Sequence, residues 1–197
     1  MFSRVFGVFF VLIASTSAFD EGDVKKFNAT TNCRGCDLSG IDLSGRDLRL
    51  SNLAKANLRN ANLSNTKFYW ADMYGVNLTG ANMINSDVSG ATLYGAIMVK
   101  SQLMGSNLRG SDLRDVDFSG ADLTGADLSP FDLIWYWKTQ VGGANMLGAN
   151  LKGANLRDLD LSETKILRSQ IEDAIVCRTM TVWGTQDRNC ESMNSEN

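Results

Sequence analysis

Histidine is absent from the 197-residue chain. Without an imidazole group the chain holds no Ser-His-Asp triad, no Cys-His dyad and none of the usual zinc ligand sets. The carboxylates that remain are scattered and form no recognisable catalytic set. We therefore predict that the protein is not an enzyme and has no catalytic residues, no cofactor and no metal site.

Long apolar runs are also absent beyond the start of the chain, where a membrane-spanning helix would need about 20 apolar residues. Residues 1–18 combine one cation, Arg4, with a short apolar run and small residues before Phe19. This pattern is typical of a secretory signal peptide. We expect a mature chain without a membrane span, exported to the periplasm or the extracellular space. The thylakoid lumen is the alternative, because Ser17-Ala18-Phe19 resembles the cleavage motif of proteins sent to complex algal plastids.

Positive charge is slightly outnumbered, with 19 Lys and Arg against 22 Asp and Glu. The net charge is −3, and removal of residues 1–18 takes away Arg4 and no acid. A mature net charge of about −4 argues against binding to a phosphate backbone, so nucleic acid is not an expected partner.

Proline and cysteine are few: Pro130 is the only proline, and the cysteines are Cys33, Cys36, Cys177 and Cys190. An even number of cysteines in an exported chain predicts disulfides, for which three pairings are formally possible.

What the sequence has in abundance is a five-residue period. A large apolar residue, here called the centre of its unit, stands at Leu38, Leu43, Leu48, Leu53, Leu58, Leu63, Phe68, Met73, Leu78, Met83, Val88, Leu93, Met98, Leu103, Leu108, Leu113, Phe118, Leu123, Leu128 and Leu133. A small residue usually stands two positions earlier, Asp or Asn directly before the centre, and Gly often at the end of the unit. Because five matches neither a helix nor a strand, each unit is a short extended piece followed by a turn.

The units Ala61-Asn62-Leu63-Ser64-Asn65 and Ala121-Asp122-Leu123-Thr124-Gly125 resemble the A(D/N)LXX consensus of the pentapeptide-repeat family. The resemblance implies an all-β chain, folded as a right-handed quadrilateral β-helix with four units in each coil of about twenty residues. It also brings a functional alternative, because some family members imitate duplex DNA and bind topoisomerases.

The period is interrupted once. After Leu133 the next predicted centres are Met146, Leu151, Leu156, Leu161, Ile166 and Ile171. We predict the following segments: a signal peptide at 1–18, an N-terminal flank and cap at 19–35, about five coils at 36–134, a loop at 135–143, a continuation of the β-helix at 144–173, and a C-terminal cap and tail at 174–197.

The length of the predicted rod restricts the disulfides. At about 4.8 Å per coil the rod is roughly 30 Å long, whereas bonded cysteines need Cα atoms within about 7 Å. Pairing between the two ends is therefore excluded, and we predict a Cys177–Cys190 bridge that caps the C-terminal end. For Cys33 and Cys36 two interpretations stay open: a bonded pair over the first coil, or two packed thiols.

Exposed aromatic residues are the feature that the repeat explains least. Stacking the units in fours places Ala54, Tyr74, Tyr94, Arg114 and Ile134 in one column, with Tyr69 and Trp70 at the adjoining corner. We interpret Tyr69, Trp70, Tyr74, Tyr94, Arg114, Trp135, Tyr136 and Trp137 as an interaction surface, since contiguous exposed apolar area usually has an occupant. The alternative is that the aromatic loop only covers the interruption of the solenoid.

These patterns favour an exported, non-enzymatic scaffold or protein-binding module with an unidentified protein partner or a second copy of itself. Topoisomerase binding by imitation of DNA is the second hypothesis, supported by an acidic band that includes Asp112, Asp117, Asp122 and Asp127. Most of these carboxylates are explained by turn formation and solubility, and weak cation binding is the remaining alternative.

Of the three Asn-X-Ser/Thr sequons, those at Asn62 and Asn77 are generated by the repeat, and only Asn28 lies outside it.

Overall fold

The computed structural model describes residues 19–131, 138–188 and 190. Its elements are helix α1 (Glu21–Thr30), a short 3-10 helix (Arg168–Ile171), and strands β1 (Val176–Thr181) and β2 (Gly184–Arg188). The remainder is a stack of single-residue parallel bridges. The predicted signal peptide lies outside the described residues. In the described part of the chain, no helix is long and apolar enough to cross a membrane.

Parallel bridges between residues twenty positions apart define the coils. The bridges run from Asn32–Asn52 to Asn107–Asp127 without a change of spacing. Backbone hydrogen bonds join each coil to the next, as where the Leu58 amide donates to the Asn77 carbonyl at 2.8 Å. Four five-residue units therefore close one turn of a four-sided β-helix.

The centres form the core. Leu93 is fully buried between Met73 in the preceding coil and Leu113 in the next, and all the centres from Leu38 to Leu128 are buried likewise. The small residue two positions earlier, such as Ala91, is buried beside them. The expectation that these two positions face inward is confirmed.

A tight turn separates one unit from the next. The amide of Ile41 donates to the Leu38 carbonyl at 3.2 Å, and Gly40 between them has a φ of 70°. A bond between residues i and i+3 with a positive φ at the third residue is the pattern of a type II turn. The residue before the centre supports the turn with its side chain: Asp37 Oδ1 accepts from the Ser39 amide at 3.0 Å.

Helix α1 caps the N-terminal end and is a minor helical addition to the predicted β architecture. Asp20 caps the helix by accepting from the Asp23 amide, and Phe27 is fully buried against the first coil. Asp37 belongs to that coil: its amide donates to Asp23 Oδ2 at 2.8 Å, and its carbonyl accepts from the Asp20 amide at 3.1 Å. The cap thus occupies backbone groups that a preceding coil would otherwise pair.

The solenoid also starts one unit earlier than expected, because Asn32 pairs with Asn52 and Cys33 is buried as a centre. Cys33 and Cys36 are bonded, with Cα atoms 5.2 Å apart, so the bridge joins a centre to the small position of the next unit. This disulfide lies inside the first coil, beneath α1.

The pairing step widens from twenty to twenty-eight residues at Asp112, which pairs with Gln140. Val141 lies above Leu113, so the repeat resumes one unit before Met146, where it was expected to resume. The predicted centre Leu133 lies outside the described residues. Val141 is buried and the Leu113 amide donates to the Gln140 carbonyl at 2.7 Å. Pro130 occupies the turn position of the last unit before the extra residues. Its ring fixes a negative φ and prevents the positive φ that the turn residues of the other units adopt.

Thr139 closes the backbone where the extra residues leave the stack. Its hydroxyl accepts from the Gly110 amide at 2.7 Å and donates to the Ser129 carbonyl at 2.9 Å. In the coil before, the corresponding amide of Gly90 donates directly to the Arg109 carbonyl. One buried side chain therefore stands between two backbone groups that pair directly elsewhere.

A hairpin ends the solenoid. Strand β1 continues the stack, since Ile175, directly before it, pairs with Asn155, and Met180 within it pairs with Asp160. Strand β2 pairs antiparallel with β1. The predicted Cys177–Cys190 disulfide is present, with a Cα separation of 5.0 Å. The hairpin thus covers the last coil with a strand that carries Asp187 and Arg188, charges that discourage further pairing at an edge.

Candidate interaction surface

A stack of four side chains runs along one face of the solenoid. The rings of Tyr74 and Tyr94 lie parallel, with centroids 5.8 Å apart and an angle of 5°. The Lys55 ammonium lies 5.7 Å from the Tyr74 centroid, and the Arg114 guanidinium 5.4 Å from the Tyr94 centroid. The twenty-residue coil produces this arrangement, because it places positions 74, 94 and 114 directly above one another. We call Lys55, Tyr74, Tyr94 and Arg114 the aromatic column.

Carboxylates hold one end of the column in place. Arg114 donates to both oxygens of Asp112, at 2.9 and 2.6 Å. A hydrogen bond with Asp115 raises the pKa of the Tyr94 hydroxyl above its ordinary value of 10.0, and the same Asp112 interaction raises the pKa of Arg114. The column is therefore a positioned array of side chains, although Tyr74 is 40% exposed.

A second aromatic group occupies the adjoining corner. Tyr69 and Trp70 meet edge to face, with centroids 5.7 Å apart. Trp70 adopts a φ of 57°, and a Cβ on Gly90 would lie 2.9 Å from its ring. Gly90 is thus required twice, for its own positive φ and for the close approach of the indole.

Two grooves follow the same face. One, of about 440 Å³, extends from Trp70 past Asp72 and Thr92 to Gln140. The other, of about 390 Å³, lies between Arg114 and Glu163. Lys138 lines both grooves, so the face combines aromatic rings, both signs of charge and concave surface.

The structure brings together Tyr69 with Trp70, and Tyr74 with Tyr94 and Arg114. The predicted surface residues Trp135, Tyr136 and Trp137 lie outside the described residues, as does Ile134. Gly142 takes the place expected for Ile134, since the Asp115 amide donates to the Gly142 carbonyl at 3.0 Å. Similarly, the residue that pairs with Asp112 in the next coil is Gln140.

The acidic band has a different shape from the one that imitation of DNA requires. Asp112, Asp117, Asp122 and Asp127 belong to four successive units, so they lie on four different sides of one coil. Asp112 pairs with Arg114, while Asp117 and Asp122 accept from the amides of Asn145 and Asn150 at 3.1 and 3.2 Å. The acids thus form a ring around the rod and not a stripe along it.

Two groups of side chains in the described ranges have the spacing of metal ligands: Asp23 with Cys33 and Cys36, and Asp187 with Cys177 and Cys190. In both groups the cysteines are joined as disulfides. A disulfide sulfur is not the thiolate that binds a metal, so neither group provides a thiolate ligand set.

Sequence reasoning missed two residues of this site: Lys55, at one end of the column, and Asp115, which is hydrogen-bonded to Tyr94. The signal was available: the arithmetic that places Tyr74 over Ala54 also places Lys55 next to Tyr74. A cation within about 6 Å of an aromatic ring is attracted to it, so Lys55 belongs to the same group of side chains as Tyr74.

The family model of pentapeptide repeats matches the chain in eight copies, over residues 31–69, 71–110, 105–129 and 139–166. Among curated proteins, none matches the sequence significantly.

Solved structures of pentapeptide repeat proteins resemble this one over most of its length. HetL, from the cyanobacterium Nostoc and involved in the regulation of heterocyst differentiation, is 19% identical; the match covers 83% of this chain and 98% of HetL, with a TM-score of 0.40. A protein of the Arabidopsis thaliana thylakoid lumen is 26% identical over 70% of this chain and 72% of its own, with a TM-score of 0.38. The plasmid-mediated fluoroquinolone resistance protein QnrB1 is 19% identical over 65% and 66%, with a TM-score of 0.45. Because the repeat model matches more than half of its residues, the chain belongs to the pentapeptide repeat family, for which a right-handed β-helix is expected.

Proposed function

We propose that this protein is an exported, non-enzymatic binding scaffold, and that its aromatic column and the Tyr69–Trp70 corner contact a protein partner. The observation that carries the proposal is the stacked column of Lys55, Tyr74, Tyr94 and Arg114 on a face where the repeat needs only small polar residues.

The energetic argument concerns the exposed part of the rings. Apolar area left in water forgoes about 25 cal/mol per Å² that burial would contribute. Tyr69 and Tyr74 are 39% and 40% exposed, so a partner has area to cover. Tyrosine, tryptophan and arginine are also the residue types most often found as energetic anchors of interfaces.

Export is supported by the cysteines. Both disulfides lie among the described residues, and disulfides persist mainly in oxidising compartments. The disulfides therefore support residence in an oxidising compartment. A signal peptide at 1–18 would direct the chain there.

Binding to topoisomerases by imitation of DNA is less well supported. A DNA-like surface needs acids along the rod, whereas the four acids of the band, from Asp112 to Asp127, ring one coil. Three of them bond to Arg114, Asn145 and Asn150. We therefore propose only the protein-binding scaffold.

Photo-crosslinking tests the proposal. The full chain would carry a benzoyl-phenylalanine at position 94. The control carries it in place of Arg59, which is exposed at the equivalent position of the neighbouring face. Each protein would be incubated with an extract of the native compartment. We expect a crosslinked protein from position 94 alone, reduced by excess unlabelled wild-type chain and not by a Tyr74→Ser, Tyr94→Ser variant. Equal crosslinking from both positions, or equal competition by both competitors, would refute a binding role for this face.

A further inference from the structure

Three sequons in this chain present an asparagine to N-glycosylation, and the structure distinguishes them. The acceptor positions are Asn28, Asn62 and Asn77, each followed two residues later by Ser or Thr. Asn62 and Asn77 precede the centres Leu63 and Leu78 and pair with neighbouring coils, while Asn28 lies in helix α1.

The two coil sequons are built into the stack of coils. Asn62 Nδ2 donates to Asp42 Oδ1 in the preceding coil at 3.1 Å, and its Oδ1 accepts from the Ser64 hydroxyl at 2.9 Å. Asn77 Oδ1 accepts from the amide and the hydroxyl of Thr79, and its backbone pairs with Asn57 on one side and Ile97 on the other. Asn62 and Asn77 are half-buried, so a sugar on Nδ2 at either position would lie against neighbouring coils about 4.8 Å away.

Asn28 has the opposite surroundings. It is exposed, and it follows Phe27, the residue by which α1 is anchored. Its Oδ1 accepts from Arg46 Nη1 at 2.8 Å, and within the described part of the chain its Nδ2 donates to no other residue. Glycosylation consumes one Nδ2 hydrogen and leaves Oδ1 intact, so the contact with Arg46 is compatible with a glycan.

We propose that Asn28 is an N-glycosylation acceptor. The co-reactant is a polyprenyl-diphosphate-linked oligosaccharide, supplied with its transferase by a eukaryotic secretory pathway. Asn28 Nδ2 forms a bond to C1 of the first sugar, the bond from C1 to the diphosphate oxygen breaks with its electron pair on the leaving diphosphate, and Nδ2 loses one proton. No oxidant or reductant is required.

The order of folding favours the reaction. Helix α1 has ten residues, a length at which an isolated helix is marginal in water, and its buried contact is made with coils that follow it in the chain. The sequon is therefore unfolded while it emerges, and the finished fold accepts the product. A glycan there would shield the N-terminal end of the rod and leave the aromatic column uncovered.

This inference depends on the exporting part of the proposed function, and the experiment separates the two. Full-length wild type, Asn28→Gln, Thr30→Ala, Ser64→Ala and Thr79→Ala would be produced in cultured animal cells, and the medium analysed by mass with and without peptide N-glycosidase. We expect one glycan on the wild type and on the Ser64→Ala and Thr79→Ala controls, and none on the Asn28→Gln and Thr30→Ala variants. Thr30→Ser should keep the glycan.

Secreted, disulfide-bonded wild type without a glycan would overturn the acceptor assignment while leaving export intact. A glycan that survives Asn28→Gln would place the modification elsewhere and overturn it equally. A chain that stays inside the cells without a glycan would contradict both the acceptor and the export proposals.

Discussion

At the scale of single residues, backbone conformation decides how each unit ends. The fifth residue has a positive φ in every unit from Gly35 to Gly125, whether it is a glycine or a bulky residue such as Leu50 or Trp70. Glycine adopts this region without strain, whereas an L-residue pays about 1–2 kcal/mol. The frequent glycines are therefore explained by the turn and not by ligand binding.

Gly95→Ala isolates this effect, because no atom beyond the two adjacent residues lies within 4 Å of the position that the new Cβ would take. We expect the free energy of unfolding to fall by about 1–2 kcal/mol in denaturant titrations. Lys100→Ala is the matched control: position 100 already has a φ of 56°, so the change should stay within about 0.5 kcal/mol. Equal effects at the two positions would show that the turn conformation is not responsible.

The carboxylates before the centres predict a loss of stability in acid. Hydrogen bonds from Ser39 lower the pKa of Asp37, and those from Ser44 lower the pKa of Asp42, from 3.8. A lowered folded-state pKa contributes stability that is fully present above the unfolded value and is lost as the pH falls through the folded value. The midpoint of thermal unfolding should therefore fall as the pH drops below about 4.

Asp42→Asn tests the origin of that loss, since asparagine keeps the Oδ1 acceptor but does not titrate. The variant should lose less stability than wild type between neutral and acidic pH. The same loss in both proteins would exclude Asp42 as a contributor.

At the scale of elements, the described coils continue past the widened pairing step because Thr139 supplies the missing connection. Its hydroxyl joins the Gly110 amide to the Ser129 carbonyl in a buried position. A buried donor or acceptor left without a partner costs about 1–3 kcal/mol.

Thr139→Val keeps the shape of the side chain and removes both hydrogen bonds. We expect it to lower the free energy of unfolding by about 1–3 kcal/mol, whereas Thr139→Ser, which keeps the hydroxyl, should lower it by less. Urea titration of both variants decides the matter, and a valine variant as stable as the serine variant would refute the bridging role.

The sequence alone was enough to predict the parts of the fold that follow the five-residue period. The buried centres from Leu38 to Leu128 and the Cys177–Cys190 bridge were predicted correctly, because a strict repeat places each residue by its number alone. Val141 was missed, since the step of twenty-eight adds eight residues and eight is not a multiple of five. Helix α1 was missed for a related reason: its cap residues Asp20 and Asp23 stand outside the repeat.

The candidate site was predictable to the same extent. The period placed Tyr74, Tyr94 and Arg114 in one column, and the structure brings them into contact. It gave no information on the hydrogen bond between Tyr94 and Asp115, because contacts between corners depend on rotamers and not on residue numbers.

At the scale of the whole molecule, the protein is a rod closed at both ends. Helix α1 pairs with the first coil through Asp20 and Asp23, and the β1–β2 hairpin covers the last. Capped ends limit end-to-end stacking of open coils. The sides of the rod are therefore the surfaces left for a partner, and among them the aromatic column departs most from the small polar residues of the repeat.

The central claim is that this column serves binding and is dispensable for the fold. The most direct test compares wild type with the Tyr74→Ser, Tyr94→Ser variant. Thermal unfolding is followed by circular dichroism. Binding to the partner captured by crosslinking, or self-association, is then measured at matched folded concentration. We predict an unchanged solenoid spectrum, a midpoint close to that of wild type and a clear loss of association. A variant that unfolds, or one that stays folded and associates as tightly as wild type, would contradict the claim.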